Sequence, residues 1–126
     1  MTLKLALRLI FGMIIPICLF SQVPAEQEIT TVYQEAKTLF LRANDKAEDD
    51  PGKALDYYKK AAYYFESLYL NHDIKNGKLF YNIGNAYYRA NNIGKAILYY
   101  KNAKLYIPND DNLNRNLEFV RSKRID

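Results

Sequence analysis

The strongest constraint on this chain is where its smallest and largest residues fall between Lys78 and Pro108. In KLFYNIGNAYYRANNIGKAILYYKNAKLYIP, Phe80, Ile83, Gly84 and Tyr87 follow a 3-1-3 spacing, and Ala96, Tyr100 and Ala103 come after them. On an α-helix each set shares one face. Gly84 and Ala96 have almost no side chain, so two helices can approach closely there. Phe80, Ile83, Tyr87 and Tyr100 then fill the space around the contact. Asn91-Asn92 lies between the sets and suits the end of one helix and the start of another. Pro108 cannot continue the second helix and marks its stop. The stretch predicts a hairpin of two antiparallel helices.

A second copy of part of this pattern lies upstream. KALDYYKKA, 53–61, mirrors KAILYYKNA, 95–103, at an offset of 42 residues. Before it, Tyr33, Ala36, Lys37 and Phe40 repeat the 3-1-3 spacing, with Lys37 in the place of Gly84. This predicts a first, degenerate hairpin. Asp50 is placed to cap its second helix and Pro51 to fill the first turn. Extra residues are expected around Lys46 to Asp50 and in an extension of the second helix through Tyr63, Tyr64, Phe65, Leu68 and Tyr69. Asn71 to Asp73 and Asn76-Gly77 then make a turn.

After Pro108, Asn109 to Asp111 offer N-cap residues, and Leu113, Leu117 and Val120 form one apolar stripe. Arg115, Glu118, Arg121, Lys123 and Arg124 face the other way. Such a helix is marginal alone, so it should cover the preceding hairpin. The expected fold is all-α. Residues 22–28 are a lead-in, 29–76 the first hairpin, 77–110 the second and 111–126 a capping helix. Twelve tyrosines and no tryptophan suit such packing, because a buried tyrosine ring can keep its hydroxyl on a polar partner.

Residues 1–21 are different material. Lys4 and Arg8 precede an apolar run from Leu9 to Phe20, interrupted by Pro16, which reads as a secretory signal helix. It is short for a spanning helix, which needs roughly 20 apolar residues. Cleavage after Ser21 or Ala25 fits the small-residue rule, and Ser21 is preferred. An uncleaved anchor is the alternative, with membrane association through this segment. Cys18 raises a lipoprotein option, against which Ile17 is too large for the residue before a lipidated cysteine. Loss of Lys4 and Arg8 would take the formal charge from +4 to +2, which is not the footprint of a nucleic-acid binder. With Cys18 gone, neither a disulfide nor a thiolate metal site is possible.

The 78–108 spacing resembles the tetratricopeptide-repeat (TPR) family, whose W-x2-L-G-x2-Y…A-x3-F…P pattern it follows with Phe for Trp, Ile for Leu and Tyr for Phe. The resemblance is strong over the second hairpin and moderate over the first. It implies a right-handed superhelical array of hairpins that holds other proteins. YNIGNAYYR, GKAILYY and NLEFVRSKRID are also similar to the TPR proteins of bacterial Bat aerotolerance operons, which are often longer. That similarity implies a minimal version or a piece of a longer protein. Arrays need about three units for stability, so two hairpins and a cap imply a homodimer or support from a partner.

The resemblance also implies a concave binding face formed by the first helix of each hairpin. Carried residue by residue, it places Lys78, Tyr81, Asn82, Asn85, Tyr88 and Arg89 there from the second hairpin. The first hairpin would add Gln34, Thr38 and Arg42, and the capping helix Asn112, Arg115, Asn116 and Phe119. Asparagine can satisfy both an N–H and a C=O of a peptide, and Lys78, Arg89 and Arg115 could pair with acidic groups. Equally, Asn82 and Asn85 could merely satisfy neighbouring backbone and water. The carboxylate clamp of chaperone-binding TPR domains is not expected, since only Asn82 matches it.

The expected function is a non-catalytic scaffold for protein–protein interaction, exported to the periplasm, that binds a peptide segment. The alternative is a membrane-tethered assembly factor of Bat type. No catalytic residue, metal or cofactor is expected. His72, the single histidine, stands beside Asp73 in a turn. Asp49-Asp50 and Asp110-Asp111 suit helix starts, and neither Gly52 nor Gly94 sits in a phosphate-cradling loop.

Overall fold

Four short polar side chains set where helices begin. Asp50, Asn76, Asn92 and Asp110 each accept a hydrogen bond from the backbone N–H three residues on, at 3.0, 2.8, 3.1 and 2.8 Å. Each satisfies an N–H that the helix itself leaves without a partner. The computed structural model describes residues 23–124. It folds them into α1 (Ala25–Lys46), α2 (Pro51–His72), α3 (Gly77–Arg89), α4 (Ile93–Tyr106) and α5 (Asp111–Ser122), with no strand among the described residues. The signal segment and Cys18 lie outside them.

The stops are equally local. Asp73 and Asn91 adopt left-handed backbone, with φ of 54° and 61°. Behind Asp73, the Ile74 N–H reaches back to the Leu68 carbonyl at 3.2 Å, which closes α2 with a Schellman turn. Asn91 closes α3 and leaves Asn92 to cap α4. At the N-terminus the expected lead-in is corrected, because α1 starts at Ala25, inside the stretch 22–28. The Pro24 carbonyl accepts from the N–H groups of Gln27 and Glu28. Glu26 and Glu28 also complement the positive end of the helix dipole.

α1 and α2 form one antiparallel hairpin and α3 and α4 another, with α5 against α4. Within the second, Gly84 lies directly against the ring of Tyr100. Ala96 and Ala103, both fully buried, continue that close surface. Leu113, Leu117 and Val120 of α5 join the same core cluster as Ala36, Phe65, Phe80 and Ile83.

The first hairpin is in a different register from the one its spacing suggested. Tyr100 donates its hydroxyl hydrogen bond to Asn85 Oδ1 at 2.6 Å, fifteen residues away in sequence, and Tyr58 does the same to Asn44 at 2.6 Å, fourteen away. Ala43, fully buried beside Tyr58, therefore stands where Gly84 stands, and Lys37 is exposed. The span from Asn44 to Tyr58 is thus no longer than that from Asn85 to Tyr100, although the linker 47–50 has one residue more than the linker 90–92. The extra residues instead lengthen α2, at 22 residues against 14 for α4. α1, also 22 residues, extends at its N-terminal end to meet that extension, bringing Glu28 Oε1 to 4.0 Å from His72 Nε2.

One carboxylate joins the two hairpins. Glu66 of α2 is 9% exposed and accepts hydroxyl hydrogen bonds from Tyr87 of α3 and from Tyr99 of α4, the latter at 2.7 Å. Lys95 Nζ of α4 donates to its two oxygens at 3.1 and 3.3 Å. Burial works to raise the Glu66 pKa, but the donors from Tyr87, Tyr99 and Lys95 outweigh it and hold the group below its ordinary value. Burial, reinforced by the bond to Glu66, pushes Tyr87 and Tyr99 up.

Candidate functional site

The first helix of each hairpin and α5 stand side by side, and the gaps between them are incompletely filled. A cleft of about 370 Å³ is lined by Phe40 and Asn44 of α1, Asn85, Tyr88 and Arg89 of α3, Tyr100 of α4, and Asn116 and Phe119 of α5. It shares Phe40 and Asn85 with a second space of about 260 Å³ that also meets Tyr33, Lys37, Leu41, Lys78 and Asn82. On its other side it shares Tyr88 and Arg89 with a more open depression beside Pro51, Leu55 and Asn91.

The amides in this groove are bonded on one side only. Asn85 Oδ1 accepts from the Tyr100 hydroxyl and, at 3.2 Å, from Asn116 Nδ2. That same Nδ2 donates to the Tyr81 hydroxyl at 3.0 Å. Asn82 Nδ2 donates to the Tyr33 hydroxyl at 3.2 Å. These bonds orient the side chains and tie α1, α4 and α5 to α3. They leave Asn44 Nδ2 and Asn85 Nδ2 as donors, and Asn82 Oδ1 and Asn116 Oδ1 as acceptors, with no partner among the described residues. Asn82 and Asn85 each spend one end of the amide on neighbouring side chains and keep the other end without a partner among the described residues.

Arg89 is held in the same manner. Its Nη2 donates to the Tyr58 hydroxyl at 2.5 Å, and its guanidinium carbon lies 4.8 Å from the centre of that ring. The Tyr88 and Phe119 rings meet edge to face at 5.8 Å, making an aromatic wall across the gap between α3 and α5. Burial pushes the Tyr100 pKa up, so this hydroxyl stays a donor to Asn85.

Seven of the residues expected on this face line the groove: Lys78, Asn82, Asn85, Tyr88, Arg89, Asn116 and Phe119. Tyr81 is half-buried behind it, packed on Tyr100 with ring centres 5.9 Å apart. Asn112 and Arg115 are exposed and bonded to each other at 2.5 Å. Gln34, Thr38 and Arg42 of α1 are exposed and are not among the residues that line it. The register change supplies Lys37, Phe40, Leu41 and Asn44 from α1 in their place. A signal for this was present in the sequence. A small residue followed by asparagine occurs in both hairpins, as Ala43-Asn44 and Gly84-Asn85, each with a tyrosine on the next helix to bond.

Among the described residues, no three His, Cys, Asp or Glu side chains converge as metal ligands would, and no helix is long and apolar enough to cross a membrane. No family model matches the chain, and neither a curated protein nor a solved structure does.

Proposed function

We propose that the chain is a non-catalytic scaffold of tetratricopeptide-repeat type, exported to the cell envelope, whose concave groove holds a peptide segment of another protein. The observation that carries this reading is the chemistry of the groove. Half-satisfied amides offer both donors and acceptors to a peptide backbone, beside an oriented guanidinium and the partly exposed rings of Tyr88 and Phe119. Such groups hold a ligand but exchange no protons near neutral pH. The Gly84–Tyr100 and Ala43–Tyr58 correspondences support the repeat assignment, with the additional length confined to one end of the first hairpin.

A photo-crosslinking phenylalanine analogue in place of Tyr88, introduced in cells, is expected to give a covalent adduct with a polypeptide. The same analogue at Leu98, exposed on α4, is expected to give none. Equal labelling at the two positions would reject the groove as the binding face.

A second reading, a membrane-tethered assembly factor of Bat type, is favoured by the apolar run Leu9 to Phe20. The N-terminal residue of the cellular protein separates the two. A start at Gln22 supports the free scaffold, and a retained Met1 or Thr2 supports the tether.

A further inference from the structure

Resting on the peptide-binding reading, we propose that the groove selects an acidic polypeptide segment, one in which a large apolar side chain stands beside Asp or Glu. The three connected spaces carry three charged lining residues, Lys37, Lys78 and Arg89, and all are cationic. Lys37 and Lys78 belong to one end of the groove and Arg89 to the other, with Phe40 and Asn85 between them.

Arg89 is the most telling of these. It makes no ion pair with any carboxylate among the described residues, although it is fixed by a hydrogen bond and a ring contact to Tyr58. Its geometry is set by the Tyr58 hydroxyl and ring, and no carboxylate of the described residues offsets its charge. It has also already lost much of the rotamer freedom that an incoming carboxylate would otherwise have to remove. Guanidinium offers paired N–H groups that match a carboxylate. Beside it, Phe40, Tyr88 and Phe119 present apolar area that an aliphatic or aromatic side chain would cover. The half-free amides of Asn44, Asn85 and Asn116 meet the backbone between the two. Charge selects the partner, the rings hold its apolar side chain, and the amides read an extended main chain.

The whole chain, in mild detergent, is titrated against three labelled peptides: Gly-Ser-Asp-Glu-Phe-Glu-Asp-Ser-Gly, a version with every acidic residue changed to Lys, and a version with Phe changed to Ala. The acidic, Phe-containing peptide is expected to bind best, with affinity falling as salt rises. Losing either the charges or the ring is expected to weaken binding about tenfold or more. Arg89→Gln is expected to remove most of the preference for acid while keeping helical content, and Lys101→Gln, on an exposed position of α4, to leave it unchanged. Preference for the Lys version would overturn the acidic partner and leave peptide binding standing. Binding of none of the three would overturn both. Displacement of the acidic peptide by a single-stranded oligonucleotide of equal charge would overturn the assignment to a polypeptide.

Discussion

The ring of Tyr100 occupies the space that a side chain on Gly84 would need. A Cβ built on Gly84 would lie 2.5 Å from Cδ1 and 2.6 Å from Cε1 of that ring. The ring cannot swing aside cheaply, because its hydroxyl is bonded to Asn85 at 2.6 Å. Gly84→Ala is therefore expected to destabilise the protein by about 1–3 kcal/mol through overpacking, despite a helix-propensity gain of up to about 1 kcal/mol. Gly84→Leu should abolish cooperative folding of the second hairpin. Gly94, with nothing within 4 Å of its built Cβ, is the control. Gly94→Ala should be neutral or stabilise by up to about 1 kcal/mol. Urea unfolding measures all three, and equal midpoints for the two alanine variants would discard the close contact.

The matched pairs Tyr58–Asn44 and Tyr100–Asn85 give a second test. Tyr58→Phe leaves Asn44 Oδ1 and one donor of Arg89 without a partner. Tyr100→Phe leaves Asn85 still accepting from Asn116. Asn44 and Arg89 are exposed, so water takes up the groups that Tyr58→Phe strands, and the cost is that of the part-buried bonds themselves, about 1 kcal/mol each. Tyr58→Phe gives up two such bonds and Tyr100→Phe one, so Tyr58→Phe should cost more. A thermal melt that ranked them the other way would show that the Tyr58–Arg89 bond adds nothing to stability.

The second hairpin was legible because its signals are local. Small residues at 84 and 96 and caps at Asn76, Asn92 and Asp110 act within a few residues of themselves. The register of α1 was not. Periodicity reports which face of a helix is apolar but not which turn meets the partner. Ala36 and Ala43, both fully buried, lie two turns apart on that face. The choice between them is made by Tyr58, on another helix. With the register went the groove residues of α1, so Gln34, Thr38 and Arg42 were expected where Lys37, Phe40 and Asn44 stand. Glu66 was hidden for a related reason. A lone carboxylate in a helix reads as solvent-facing, and its partners come from 21, 29 and 33 residues further on.

α5 should matter more than its twelve residues suggest. Leu113, Leu117 and Val120 are each at most 2% exposed, and all lie in the main core cluster. Burying side chains of this kind stabilises by about 1.5–3 kcal/mol each. A chain ending at Pro108 is expected to lose cooperative unfolding, which circular dichroism on heating would show. A sharp transition at an unchanged temperature would mean that the two hairpins need no cover.

The Glu66 joint makes stability depend on acid, with a definite sign. Its pKa in the folded chain is below the ordinary 4.5. As pH falls past about 4.5, the unfolded chain takes up a proton that the folded one resists, so the contribution is fully present above that value. It is lost as pH falls through the lower folded value. Glu66→Gln keeps an oxygen for the tyrosine hydroxyls but gives up the charge that Lys95 meets at 3.1 Å. Near neutral pH it should cost about 1.5–3 kcal/mol, the range for a charge-assisted bond. It should also show a shallower loss of stability than the parent chain as pH falls below about 4.5. Because Glu66 joins α2 to both α3 and α4, the acid-induced loss should appear first as the hairpins parting while each keeps its helices. Hydrogen exchange would show this as lost protection at the α2–α3 contact ahead of the Gly84–Tyr100 contact. Simultaneous loss at both would place the acid-sensitive charge elsewhere.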